Sequence, residues 1–159
     1  MITSGSDTNG QLGATVINGG DTFSLGVVLT TTSLLENGIR TTNYSNKVTV
    51  STNGIITTGG IAATGISNIN DDNETNVSGS IETAGENSSG ILNIGNTNET
   101  SVSGTVKVTA TSSTALYNWS GDGNSFTLNE GTIITGDILA DDTSTVFDSE
   151  PKLAGFGGP

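Results

Sequence analysis

The chain has 159 residues with 16 acidic side chains against four basic ones, no Cys and no His. Its net charge of −12 argues against a nucleic-acid surface, where Lys and Arg must neutralise phosphates, and against an anionic membrane surface; the lack of Cys removes disulfides, thiolate chemistry and zinc–thiolate sites. A count of 27 Thr, 23 Gly, 19 Ser and 17 Asn often means disorder, but the Ile, Val and Leu residues are placed periodically, as in a pleated sheet.

Residues 1–14 are polar. They carry no basic segment followed by an apolar one, so they read as an N-terminal flank or weak cap and not as a signal peptide. From there to residue 142 the sequence repeats. Asn18, Asn43, Asn68, Asn93 and Asn118 recur every 25 residues, and internal repeats of this length mark stacked architectures. Two residues before each Asn stand Val16, Thr41, Ile66, Ile91 and Leu116; three before the later ones stand Gly65, Gly90 and Ala115. A second block keeps the same phase: Gly54, Gly79 and Gly104, then Ile56, Ile81 and Val106, then Thr58, Thr83 and Val108. Val27, Val77 and Val102 form a further column, interrupted by Thr52. The next unit is displaced by two, so that Gly131, Ile133 and Thr135 take the roles of Gly104, Val106 and Val108. Residues 143–159 read as a flexible C-terminal flank. Both prolines lie there, at 151 and 159, so no Pro interrupts a hydrogen-bonding ladder earlier in the chain.

Within each unit the apolar residues alternate, as in Val77-Ser78-Gly79-Ser80-Ile81 and Val102-Ser103-Gly104-Thr105-Val106. Period two means strands with one buried face. One unit cannot bury that face alone and must stack on its neighbour. The sequence therefore predicts an all-β single-stranded parallel β-helix, a β-solenoid of about five coils over residues 15–142. The Ile and Val columns fill its interior. The column of Gly54, Gly79 and Gly104 permits close backbone approach. The Asn column is expected at corners, amide upon amide. Trp119 and Tyr44 continue the column of Ile69 and Ile94 and are read as core or coil-end packing.

The units Gly79-Ser80-Ile81-Glu82-Thr83, Ser89-Gly90-Ile91, Gly104-Thr105-Val106 and Asn129-Glu130-Gly131-Thr132-Ile133-Ile134-Thr135-Gly136-Asp137-Ile138 resemble the passenger regions of bacterial autotransporters. The resemblance spans about residues 43–140. It implies a right-handed β-helix exported by type V secretion, placed extracellularly or at the bacterial surface, and serving as stalk or adhesin. Attachment to an outer membrane is implied only for a longer parent protein, because no translocator barrel is recognisable in this chain.

Candidate sites are sparse. A polysaccharide-active β-helix enzyme would need converging acids or a carboxylate-held calcium with a base. Asp71, Asp72 and Glu74 are the candidates, and they fall in a turn where the next coil has Asn96 and Thr97. Their plain reading is a solvated turn with no bound ion, calcium being the cofactor they would otherwise take. Stacked Thr58 and Thr83 raise an ice-binding face, which Lys107-Val108 then spoils. The expectation is a non-catalytic stalk or adhesin with a glycan or protein of a host or neighbouring cell as partner, no nucleic acid, no direct membrane insertion, and ends suited to end-to-end self-association. A phage or extracellular-fibre solenoid subunit is the structural alternative.

Overall fold

The computed structural model describes residues 2–4, 12–16, 20–140, 145–148 and 152–153, with side chains described for 20–140. The chain forms β1 (Ile2–Ser4) and then winds through six triplets of short strands. These are β2 (Leu12–Val16), β3 (Thr22–Leu25) and β4 (Val28–Thr31); β5 (Asn37–Thr41), β6 (Lys47–Val50) and β7 (Ile55–Thr58); β8 (Ile66–Ile69), β9 (Glu74–Val77) and β10 (Ser80–Thr83). There follow β11 (Ser89–Ile94), β12 (Glu99–Val102) and β13 (Thr105–Val108); β14 (Thr114–Ser120), β15 (Ser125–Leu128) and β16 (Ile133–Thr135); β17 (Asp137–Leu139), β18 (Thr145–Asp148) and β19 (Lys152–Leu153). No helix occurs among the described residues.

Each strand pairs in parallel with its counterpart one coil away, which gives three sheets. The first sheet runs β2-β5-β8-β11-β14-β17, the second β3-β6-β9-β12-β15-β18, and the third β4-β7-β10-β13-β16-β19. The protein is thus a β-solenoid of about five turns. At ~4.8 Å between strands its axis is roughly 24 Å long. Strand β1 pairs antiparallel with β2 and so covers the N-terminal edge of the first sheet, an edge that would otherwise offer unpaired backbone groups. Strand pairing runs past 15–142 at both ends, from Leu12 with Asn37 to Leu153 with Ile134. The remainder of the two flanks lies outside the described residues.

Alternation decides what goes inside. The first sheet supplies Ile39, Ile66, Ile91 and Leu116, the second Val50, Val77, Val102 and Leu128, and the third Ile56, Ile81, Val106 and Ile134, all buried. Each column is a run of in-register partners. Burying one such side chain contributes about 1.5–3 kcal/mol. Glycine makes room where sheets converge: a Cβ on Gly65 would lie 2.4 Å from Ile81 Cγ2 and 2.5 Å from Gly90 O, and Gly90 meets Val106 and Ala115 in the same way.

The coils are unequal, and this corrects the phase expected from a strict 25-residue period. Thr22 pairs with Lys47, but Val28 pairs with Ile55, because the corner Ser51–Gly54 is two residues longer than Gly26–Val27. The valine column therefore continues upward as Val50 and Leu25. Thr52 is exposed, and Val27 is 66% exposed. Later, Val106 pairs with Ile134 and not Ile133. The shift there is three residues, one from a bulge in β14 and two from the longer corner before β16. Ile134 is buried at 2% while Ile133 is 46% exposed. Thr132 stands at the Gly104 position, and its hydroxyl donates to Val102 O and Asn129 O. The stacked threonines Thr58 and Thr83 face inward with no exposed area, so they form no water-facing ladder.

Burial predicts a sharp contrast between adjacent positions. Ile81→Ala empties a fully buried site and is expected to lower stability by about 2–5 kcal/mol in chemical denaturation. Ile55→Ala, at a 39% exposed position, is expected to cost less than about 1 kcal/mol.

Candidate functional site

The Asn ladder exists, but in the interior. Asn68, Asn93 and Asn118 are at most 1% exposed and lie in register on the inner face of the first sheet. Asn68 Nδ2 donates to Asn93 Oδ1 at 2.8 Å, and Asn93 Nδ2 to Asn118 Oδ1 at 2.9 Å. A second partner comes from the facing sheet, where Thr75 and Thr100 meet the Asn68 and Asn93 amides. Phe126 occupies the next position of that threonine column, and among the described residues Asn118 Nδ2 finds no partner. Asn43 is not a member: Thr41 pairs with Asn68, and the two-residue insertion carries Asn43 into the corner beyond. Asn18 lies outside the described residues.

A second Asn ladder holds the corners between the first and second sheets, and the fixed period hides it. Asn46, Asn73, Asn98 and Asn124 are buried but spaced by 27, 25 and 26 residues. The backbone N–H of each of the first three donates to the next side-chain Oδ1, at 3.1, 3.0 and 2.9 Å. Each Asn immediately precedes the first residue of a second-sheet strand: Lys47, Glu74, Glu99 and Ser125. Alignment on strand starts would have revealed it. At the opposite corner, Ala63 N–H and Ser88 N–H donate to Ser88 Oγ and Ser113 Oγ, both at 3.1 Å. Between the second and third sheets Gly54, Gly79 and Gly104 stack so tightly that a Cβ on Gly104 would sit 2.0 Å from Gly79 O. These turns approach closely, as their glycine column implied.

The acidic candidates do not converge. Asp71 Oδ1 accepts from Asn96 N–H at 2.7 Å and from Asn96 Nδ2 at 3.3 Å. Asp72, in left-handed backbone with φ 59°, accepts from the Thr97 hydroxyl. Both carboxylates therefore bind the turn of the following coil. Glu74 stands apart on the second sheet, where Lys47 Nζ lies 2.6 Å from its Oε1 and Asn76 Nδ2 also donates to it. Lys107 and Glu82 form a similar cross-coil pair at 2.8 Å on the third sheet. No group of three or more metal-ligating side chains occurs among the described residues.

Two grooves mark the outer faces. The smaller, about 260 Å³, lies on the second sheet between Glu74, Asn76, Glu99, Ser101 and Thr127. The larger, about 480 Å³, runs along the edge of the first sheet, beside Asn87 and Ser112 and over Leu92, Tyr117 and Trp119. Asn93 pairs with Asn118 but Ile94 pairs with Ser120, so Trp119 is the unopposed residue of a β-bulge. It is 60% exposed, and its ring stacks on Tyr117 with centroids 6.3 Å apart and planes 14° from parallel. Tyr44 is 56% exposed in a corner. The expectation that these aromatics pack in the core or on a coil end is corrected for both: Tyr44 falls outside the paired column because of the insertion, and Trp119 follows inward-facing Asn118, so alternation places it on the outer face, as it does Ile69 and Ile94. The sequence carried a signal for the bulge in its broken period near residue 120.

Compared with protein-family models, with curated proteins and with solved structures, the chain matches none.

Two outcomes are expected. Asn93→Ala removes an acceptor from Asn68 and a donor from Asn118 in a buried place, at about 1–3 kcal/mol for each group left unpaired; its denaturation midpoint should fall well below that of Asn53→Ala, an exposed corner substitution expected to stay within about 0.5 kcal/mol. The Glu74 carboxyl is held below its ordinary value of 4.5 by the hydrogen bond from Lys47 and then that from Asn76. Its contribution is present above the unfolded pKa and lost as pH falls through the lower folded value. Because both partners are nearly half exposed, the effect is about 0.2–1 kcal/mol. Glu74→Gln should therefore lower the melting temperature slightly at pH 7, with the difference shrinking as the pH is brought down through the carboxylate range.

Proposed function

We propose that this chain is a non-catalytic module of an exported or surface-exposed protein: a rigid stalk segment with an adhesive outer face, in the manner of the autotransporter passengers that it resembles. The observation that carries this reading is the core. Apolar columns and amide ladders fill the inside of the coils, and the two grooves described are shallow features of the outer sheets. A filled rod positions whatever it displays and transmits force along its ladders. Partners on this reading are glycans or proteins of a host or neighbouring cell. Attachment to an outer membrane would belong to a longer parent. The acidic surface, with cross-coil pairs at Lys47–Glu74 and Lys107–Glu82, suits a soluble module outside the cell.

The test is adhesion under flow. Beads coated with the folded chain should be retained on bacterial or animal cell layers better than beads coated with an unrelated acidic protein of similar size. Equal retention would overturn the adhesive reading. Release of reducing ends or unsaturated products from a polysaccharide panel, lost in Asp71→Asn with Asp72→Asn, would overturn the non-catalytic one. Because those carboxylates are engaged by Asn96 and Thr97, millimolar calcium is expected to leave the melting temperature unchanged.

A further inference from the structure

Strand β14 breaks the repeat within the strand, and where it does so against β11 the extra residue is the chain's only Trp. Bulges re-aim side chains and concentrate near binding sites. Asn118 points inward, so alternation already sets position 119 on the outer face that carries Ile69 and Ile94, and the bulge leaves it with no residue opposite in β11. The indole stands 60% exposed and is braced by stacking on half-buried Tyr117. Leu92, one coil back from Tyr117 in the same column, extends the apolar floor.

We infer that this groove binds an uncharged glycan chain through Trp119. The inference rests on the adhesive reading above and adds a place and a ligand class to it. Three features select the ligand. Exposed π faces carry negative quadrupole density, which attracts the polarised C–H face of a sugar ring. The rim beside them presents an amide from Asn87 and hydroxyls from Ser112 and Thr114, groups that both donate to and accept from sugar hydroxyls. No residue lining the groove is charged, although the chain carries a net −12. An acidic glycan meets a repulsive field there, and a cationic ligand is drawn instead to Glu74 and Glu99 in the other groove. The rim also repeats: Asn87 and Ser112 lie one coil apart, as do Ser89 and Thr114, so polar groups recur every ~4.8 Å along the axis. A polymer of like units lying along the rod meets like partners at each step. The groove volume of about 480 Å³ falls in the ordinary range for small-ligand sites, about 300–1,000 Å³.

The single Trp makes the test direct. Intrinsic fluorescence of the full chain, titrated with neutral glucose, mannose, xylose and N-acetylglucosamine oligosaccharides, should change saturably with at least one of them and not with oligogalacturonate. Calorimetry on Trp119→Ala should show at least a tenfold loss of affinity, and Trp119→Phe should retain most of it. Unchanged circular-dichroism melts for both variants will separate binding from folding. No response to any neutral oligosaccharide, or equal affinity in Trp119→Ala, overturns the inference. So does bead adhesion that persists in Trp119→Ala. Adhesion lost in Trp119→Ala without any glycan response would mean a protein ligand at the groove, which overturns the glycan and leaves the adhesive reading standing. Saturable, Trp119-dependent sugar binding by beads that adhere to no cell upholds the inference while the adhesive reading fails.

Discussion

Parallel hydrogen bonding between successive coils is the constraint on which the structure depends. Each short strand is too small to be stable alone, and its partners lie a full coil away in the chain. Once a coil stacks in register, every inward residue lies over its counterpart. Apolar columns then close on one another, and polar ones must satisfy themselves vertically. The interior amides do so: Asn68, Asn93 and Asn118 form a chain of side-chain hydrogen bonds inside the coil. A buried amide is tolerated because the next coil brings its partner at the spacing the backbone already imposes.

The same constraint explains where the repeat can be broken. Two extra residues fall at Ser51–Gly54 and two more before β16, both in corners. A corner absorbs length without changing which face of the next strand points inward, whereas a slip within a strand would reverse every side chain. The within-strand exceptions both fall in β14, at Ala115 against β17 and at Trp119 against β11, and the second comes with an aromatic side chain exposed to solvent. That second position carries chemistry that the repeat does not need.

The architecture was legible in the sequence because alternation and period both report backbone geometry. The columns of Ile56, Ile81 and Val106 and of Gly54, Gly79 and Gly104 lie as their spacing implied. A rigid period misplaced the first and last coils, since corner length is not fixed by the strands it joins. It drew Asn43 into a ladder where Thr41 stands, and it concealed Asn46, Asn73, Asn98 and Asn124, whose unequal spacing follows the corners. The site was less legible than the fold. The Asn column was assigned to corners and not to the inner face, so Trp119, the residue after Asn118, was not recognised as outward, and the register shift that leaves it unopposed appears in the sequence only as a break in the repeat.

The interior ladders also have a direction. Asn68 donates to Asn93 and Asn93 to Asn118; in the corners, Asn46 donates to Asn73 and Asn73 to Asn98. In these four bonds the side-chain amide offers its N–H toward the following coil, whereas Asn124, the last of the corner series, donates back to Gly95 O. Among the described residues, Asn118 Nδ2 and Asn98 Nδ2 find no acceptor, and Asn46 Oδ1 finds no donor. A coil inverted within the stack would face donor with donor along both runs, so the amides fix the order in which coils can stack. The stack therefore has a sense of direction written into its interior even though its coils look alike.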